Sequence, residues 1–157
     1  MLAVDAANGK PCQDFGQGGQ VSLREGLGSV KGGIQFTTSP ATVIGNTAVV
    51  GSFVLDNMGT NNPSGVVRAF DVITGRQVWA WDAGRHDPAA PLKPGESFTK
   101  ASPNAWSLFS ADEALGLVYI PTGNPSPDHF GGQRSPDMER YGSSVVALDA
   151  LTGQVRW

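Results

Sequence analysis

Two neighbouring residues with oxygen-bearing side chains could bind a metal ion. Asp56 and Asn57 directly follow an apolar segment at residues 51–55, which is predicted to be a strand. A carboxylate beside an amide carbonyl offers the hard oxygen ligands that Ca²⁺ or Mg²⁺ prefers. An ordinary Asp-Asn turn accounts for the same pair. On the residues alone, the turn remains the simpler interpretation.

Trp106 is a candidate for binding a flat ligand. It is predicted to lie in the first strand of a repeated unit, whereas Trp79 and Trp157 lie in fourth strands and are typical of residues that dock one sheet on the next. An indole offers a flat apolar face with one polar atom, which suits a planar ring system. Asn104, two residues earlier, is predicted to project from the same side of that strand.

The composition favours an all-β protein. Of 157 residues, 21 are Gly and 11 are Pro, and only 16% are charged. Coiled coils need far more charged residues, and disorder is excluded because 39% of the residues are hydrophobic and the net charge is only −3. A pI near 5.2 argues against a nucleic-acid partner. Many turns that join short apolar segments therefore describe the chain best.

A repeated motif organises the chain. Its pattern is Ala-apolar-Asp-x-x-(Thr/Asn)-Gly, and it occurs at residues 3–10, 69–76 and 147–154. The pattern predicts a strand, a tight turn and a second strand, in which the Asp accepts hydrogen bonds from turn N–H groups and the Gly adopts a positive φ. The following Trp79 and Trp157 complete the second and third copies.

The strands around these motifs predict four-stranded antiparallel meanders. In the first complete unit the predicted strands are 41–44, 47–51, 66–71 and 77–81; in the next they are 106–110, 117–120, 144–149 and a start at 155–157. Tandem units of four strands are typical of the blades of a β-propeller. The long Gly/Pro-rich connections at 13–39, 52–65 and 122–142 are expected on one face, where binding sites are usually built.

The loop motifs resemble one family of propellers, the membrane-bound PQQ-dependent glucose dehydrogenases with their quinate/shikimate relatives. The resemblance runs essentially from Leu2 to Trp157. It is carried by Thr38-Ser39-Pro40, Asp56-Asn57, Ser64 to Asp71, Ser102-Pro103-Asn104-Ala105-Trp106, Pro121-Thr122-Gly123-Asn124, Gly131 to Pro136 and Tyr141 to Ser144. The repeat alone is moderately specific, whereas these loop motifs in this order are highly specific.

This resemblance implies a cofactor and a metal. It implies PQQ lying on Trp106 as its floor, with Asn104, Thr38 and Ser39 also able to reach the cofactor. It further implies Ca²⁺ or Mg²⁺ bound by the side-chain oxygens of three loop residues: Asp56, Asn57 and Asn124. For Thr38 and Ser39, turn capping is an equally good interpretation, and for Asn124 a simple Gly-Asn turn remains open.

The resemblance also implies an eight-bladed ring, of which this chain would be an internal piece. Residues 1–12 are expected to end one blade, 38–81 to form a second, and 104–157 to form a truncated third, with the remaining blades of the same chain as partners. The family's general-base Asp is expected downstream of Trp157, so no catalytic residue is predicted here. The 157 residues alone are therefore expected to be inactive.

The expected activity is oxidation of a sugar or polyol hydroxyl, most simply D-glucose to gluconolactone, with electrons passed to ubiquinone. The expected location is the periplasmic face of the bacterial inner membrane. Two alternatives remain open. One is a non-enzymatic propeller scaffold of outer-membrane protein assembly, which would need neither Asp56-Asn57 nor Trp106. The other is a soluble PQQ alcohol dehydrogenase, against which the Gly131-Gly132 loop argues.

Overall fold

In the part of the chain that the structure describes, the strands form three antiparallel sheets. The structure is a computed structural model that describes residues 1–55, 57 and 59–157. The central sheet has the order β2-β3-β5-β6, and a second sheet has the order β7-β8-β9. A small pair, β1 and β4, lies in the connections. The strand bounds are β1 Gln35–Phe36, β2 Thr42–Ile44, β3 Thr47–Val50, β4 Phe53–Val54, β5 Val67–Asp71, β6 Gln77–Trp81, β7 Ser110–Asp112, β8 Leu117–Pro121 and β9 Val145–Asp149.

The central sheet is the predicted four-stranded meander, with strands in sequence order. The second sheet gains a fourth segment through a bridge between Leu148 and Val155. In the first twenty residues, isolated bridges join Leu2 to Gln20 and Val4 to Pro11. One short helix, α1 (Pro136–Arg140), lies in the long connection before β9 and is capped by the Ser135 hydroxyl. No helix among the described residues is long and apolar enough to cross a membrane.

The repeated turns have the predicted chemistry. Asp71 Oδ1 accepts hydrogen bonds from the Thr74 N–H at 2.7 Å and from the Thr74 hydroxyl at 2.7 Å. Asp149 makes the same pair of bonds with Thr152. Gly75 closes the first of these turns with a φ of +71°, which favours glycine. Both turns therefore close through local hydrogen bonds that the motif itself supplies.

The core lies between the central sheet and the second sheet. Buried residues of both sheets form one hydrophobic cluster, which includes Val49, Val67, Trp81, Ile120 and Leu148. Strand β5 is buried along four of its five residues, as expected for a strand covered on both faces. The low charge of the chain follows from this sandwiching of sheets.

Trp79 docks the central sheet on the second sheet, as predicted. Its indole N–H donates to the Ala150 carbonyl at 2.9 Å. A Cβ added to Gly153 would lie 2.8 Å from the Trp79 ring, so only glycine allows the ring to approach this closely. The tryptophan of one sheet therefore packs on the Thr-Gly turn of the next.

One predicted strand is wrong. Residues 106–110 were expected to form the first strand of the second sheet, but β7 begins at Ser110 and residues 106–109 lie outside it. The tight turn after β7 sets this register, because Asp112 Oδ1 accepts from the Leu115 N–H at 3.0 Å and Gly116 has a φ of +66°. Phe109, directly before Ser110, packs against the hydrophobic cluster between the two sheets instead.

The short turns and the long connections lie at opposite ends of the sheets. The turns at 45–46, 72–76, 113–116 and 150–154 share one end, where Val72 N–H donates to Asn46 O and Ala150 N–H donates to Gly116 O. The connections 51–66, 82–109 and 122–144 meet at the other end, which we call the loop end. There, Gly123 N–H donates to Asn104 O at 2.8 Å. The candidate site lies in these connections.

Candidate functional site

An extended, buried segment forms the centre of the loop end. Residues 102–105 are buried without belonging to a strand, and they lead to Trp106. Two glycines allow neighbouring backbone to approach this segment: a Cβ on Gly51 would lie 2.0 Å from Ala105 O, and one on Gly65 would lie 2.1 Å from Pro103 O. Since neither glycine can be replaced without moving backbone, the segment is held closely between the two connections.

Trp106 presents its indole at the surface and is fixed through its backbone. The residue is 51% exposed. The Thr38 and Ser39 hydroxyls both donate to the Trp106 carbonyl, each at 2.7 Å. The structure therefore brings these three predicted residues together across more than sixty positions of sequence. Both hydroxyls position Trp106 by donating to its carbonyl, whereas the sequence left cofactor binding and turn capping equally open for them.

Asn104 connects two loops rather than facing outward beside Trp106. It is only 4% exposed, and its Nδ2 lies 3.4 Å from Val54 O, to which it donates. A Cβ on Gly123 would lie 2.6 Å from Asn104 Oδ1. The prediction that Asn104 and Trp106 project from the same side of a strand is wrong, because this segment packs as an irregular connection and buries one side chain while exposing the other.

Two of the three candidate metal ligands, Asn57 and Asn124, lie in the two connections that Asn104 contacts through Val54 and Gly123. Asp56 lies outside the described residues. Asn57 has a φ of +55°, and its Oδ1 accepts a hydrogen bond from the His129 N–H at 3.3 Å. Asn124 Oδ1 accepts from the Ser143 hydroxyl at 2.7 Å. Both amide oxygens are hard donors of the type that Ca²⁺ or Mg²⁺ accepts.

No group of three or more His, Cys, Asp or Glu side chains comes together among residues 1–55, 57 and 59–157. Of the three candidate ligands, the two that the structure describes, Asn57 and Asn124, offer amide oxygens. A cleft of about 510 Å³ lies beside β6, where Trp79 and Phe98 line it, and none of the candidate residues borders it.

A buried arginine anchors the connection that precedes Thr38. Arg68, on β5, is buried and donates to the carbonyls of Leu23 and Glu25. Burial lowers the pKa of the Arg68 guanidinium to about 10, and the nearby Glu25 charge partly opposes this shift. The guanidinium stays charged at neutral pH and ties the long 13–39 connection to the central sheet.

Sequence reasoning missed a buried carboxylate at the loop end. Asp82 follows β6 directly and is 1% exposed. Its Oδ2 accepts from the Thr99 N–H at 2.6 Å, and its Oδ1 accepts from the Gly84 N–H at 3.1 Å. Burial raises the pKa of the Asp82 carboxyl, and the hydrogen bonds from Thr99, Gly84 and Ser102 oppose that rise. The one sequence signal was its position directly after the apolar β6.

Comparison with known proteins identifies the family. A model described as "PQQ: Glucose/ethanol/alcohol dehydrogenase, beta-propeller domain" matches residues 1–157. The chain belongs to the PQQ-dependent dehydrogenase propeller family. The fold is therefore a β-propeller of quinoprotein type, as the repeats and loop motifs predicted.

The chain is similar to curated proteins whose names give different substrates. The chain is 44% identical to the quinate/shikimate dehydrogenase (quinone) of Acinetobacter baylyi and 44% identical to quinoprotein glucose dehydrogenase A of Acinetobacter calcoaceticus. It is 42% identical to the glycerol dehydrogenase large subunit of Gluconobacter oxydans. All of this chain is covered in each case, and it spans 20%, 20% and 21% of those relatives, respectively.

A solved structure shows the same fold. The quinohemoprotein alcohol dehydrogenase from Comamonas testosteroni matches with a TM-score of 0.63 over 99% of this chain and 23% of that chain. The sequence identity is 23%, so this likeness concerns the fold alone.

Proposed function

We propose that this chain forms part of a PQQ-dependent dehydrogenase that oxidises a hydroxyl group of a sugar or polyol. The observation that carries the proposal is the half-exposed indole of Trp106, whose backbone carbonyl is fixed by the Thr38 and Ser39 hydroxyls. A flat face held in one position at the loop end suits a planar quinone.

The residues present fit PQQ and a divalent cation. Trp106 is half exposed, and the oxygens of Asn57 and Asn124 are hard donors of the type that Ca²⁺ or Mg²⁺ accepts. Asp56, adjacent to Asn57 in sequence, would add a carboxylate to this set. When bound, PQQ supplies the two-electron acceptor for the alcohol.

The chain's own residues would bind and orient rather than transfer protons. Trp106 would support one face of the ring system, and Asn104 would fix the separation between the loops that carry Asn57 and Asn124. We assign no catalytic base among the candidate residues. A general base supplied by another segment of the full-length protein would accept the hydroxyl proton.

The substrate class rests on the relatives. The relatives named for glucose, glycerol and quinate/shikimate are 42–44% identical to this chain, so sequence identity does not distinguish among these substrates. We propose D-glucose, oxidised to gluconolactone, as the first substrate to test, because the Gly131-Gly132 loop resembles the glucose dehydrogenase branch. Ubiquinone as electron acceptor, at the periplasmic face of the bacterial inner membrane, completes the proposal.

Titration of the full-length apoprotein with PQQ in the presence of Ca²⁺ or Mg²⁺ tests this function. We expect saturable quenching of tryptophan fluorescence, followed by PQQ-dependent dye reduction with at least one of glucose, glycerol, quinate or shikimate. The Trp106→Ala variant should lose most of the cofactor affinity. Wild-type protein that shows neither quenching nor dye reduction would favour the scaffold alternative and contradict the proposal.

A further inference from the structure

Asp82 is a buried acid that the proposed function does not yet use. It closes β6 at the loop end, where its own N–H donates to the Pro88 carbonyl at 2.8 Å. Its carboxylate accepts hydrogen bonds from the backbone N–H of Gly84 and from that of Thr99, which lies seventeen residues after Asp82. Burying a carboxylate costs free energy of desolvation, and hydrogen bonds from N–H groups offset that cost. The same hydrogen bonds hold the donating backbone segments in place.

Close contacts continue from Asp82 towards the candidate site. Gly84, whose N–H donates to the Asp82 carboxylate, packs directly on Ser102, because a Cβ added to Gly84 would lie 2.9 Å from Ser102 Cβ. Ser102 Oγ lies 3.0 Å from Ser64 Oγ and accepts from the Gly65 N–H at 3.1 Å. Both serines are buried, at 2% and 1% exposure. The network therefore joins the connection after β6 to the end of the 51–66 connection.

The network fixes the segment that leads to Trp106. Gly65 packs directly on the backbone of Asn104, two residues after Ser102, since a Cβ added to Gly65 would lie 2.4 Å from Asn104 Cα. Just before Ser102, Ala101 has a φ of +58°, a conformation that a residue with a side chain adopts only when its surroundings hold it. Ala101 N–H donates to Asn62 O at 2.9 Å. The path from Asp82 to Asn104 is thus continuous through buried contacts.

We propose that Asp82 is a positioning residue for the quinone site: through Ser102, Ser64 and Gly65 it sets where Asn104 and Trp106 stand relative to the loop that carries Asn57. This inference rests on the proposed function. Asp82 touches neither cofactor nor substrate and acts only through the residues it holds. A fully satisfied buried polar network specifies one arrangement of the loops, and a partly satisfied one does not.

The test compares two Asp-to-Asn substitutions in the full-length protein. Asp82→Asn keeps the shape but presents an amide NH₂ to backbone N–H groups. Asp71→Asn is the matched control, because Asp71 also accepts N–H groups, from Ile73 and Thr74, but at the turn end of the same sheet. We expect Asp82→Asn to raise the PQQ dissociation constant roughly tenfold, the range seen when groups behind a first-contact residue are lost. Asp71→Asn should leave it within about twofold.

A second variant keeps the inference testable if Asp82→Asn does not fold. Ser102→Ala removes the buried hydroxyl that contacts the Ser64 hydroxyl and accepts the Gly65 N–H, whereas Ser22→Ala removes an exposed hydroxyl that accepts the Arg24 N–H. Ser102→Ala should weaken PQQ binding several-fold, and Ser22→Ala should not. Both dissociation constants are measured well below each variant's unfolding temperature, which separates cofactor affinity from stability.

The outcomes distinguish failure of the proposed PQQ binding from failure of the positioning role of Asp82. If wild-type protein binds no PQQ, the proposed function fails and the inference fails with it. If wild-type protein binds PQQ but Asp82→Asn binds it as tightly as Asp71→Asn, only the positioning role is overturned. Equal affinities of Ser102→Ala and Ser22→Ala would overturn it in the same way.

Discussion

Substituting Gly65 by alanine should displace the segment that carries Trp106. The added Cβ would meet Pro103 O at 2.1 Å and Asn104 Cα at 2.4 Å, where real Cβ contacts stay above 3.0 Å. Backbone on one side must therefore move by about 1 Å, and overpacking of this kind costs about 1–3 kcal/mol. The partner is backbone, so a change of side-chain rotamer cannot relieve the clash.

The matched control is Gly32→Ala, because nothing lies within 4 Å of a Cβ added there. Thermal unfolding and PQQ titration of the two full-length variants measure the difference. We expect Gly65→Ala to lower the unfolding free energy by about 2 kcal/mol and to raise the PQQ dissociation constant at least tenfold. Gly32→Ala should match wild type in both. Indistinguishable affinities for the two variants would refute the close packing that we infer around the segment.

Three further predictions concern the turns, the docking of sheets and Trp106. Hydrogen bonds from the Thr74 backbone and hydroxyl hold the pKa of the Asp71 carboxyl below its ordinary value. The ionised Asp71 carboxylate therefore stabilises the folded state fully above its unfolded-state pKa of about 4, and this stabilisation is lost as pH falls through the lower folded-state pKa. Asp71→Asn should flatten the acid limb of the profile of unfolding free energy against pH, measured by denaturant unfolding. Trp79→Phe should lower the unfolding free energy by about 1 kcal/mol or more, because the carbonyl that the indole binds loses its donor, and calorimetry of the full-length protein checks this. Thr38→Val removes one of two hydroxyl donors to the Trp106 carbonyl and should weaken PQQ binding several-fold in a fluorescence titration, with an unchanged constant as the contrary result.

The turns of the fold could be predicted because their physics is local. The Asp, Thr and Gly of each motif supply donor, acceptor and positive φ within five residues, and the structure shows these bonds at Asp71 and Asp149. The strand at 106–110 could not be placed this way. Its apolar residues looked like a strand, but the turn after Asp112 and the close contacts of Gly51 decided its course.

The candidate site depended on contacts that local patterns do not contain. Nothing in the spacing of Thr38 and Trp106 indicates that the hydroxyl of one binds the carbonyl of the other. Their association with one site came from resemblance to a family. Asp82 was missed for a similar reason, since an Asp after a strand is usually a solvated turn residue, and its hydrogen bond from the Thr99 N–H joins positions seventeen residues apart.

The central claim is that PQQ binds at the loop end against Trp106. A crystal structure of the full-length protein loaded with PQQ and Ca²⁺ or Mg²⁺ tests it most directly. We expect the quinone ring system to stack on the exposed indole face, with the cation bound by oxygens that include those of Asn57 and Asn124. PQQ bound elsewhere, or a Trp106 face covered by another segment of the protein instead of by the cofactor, would contradict the claim.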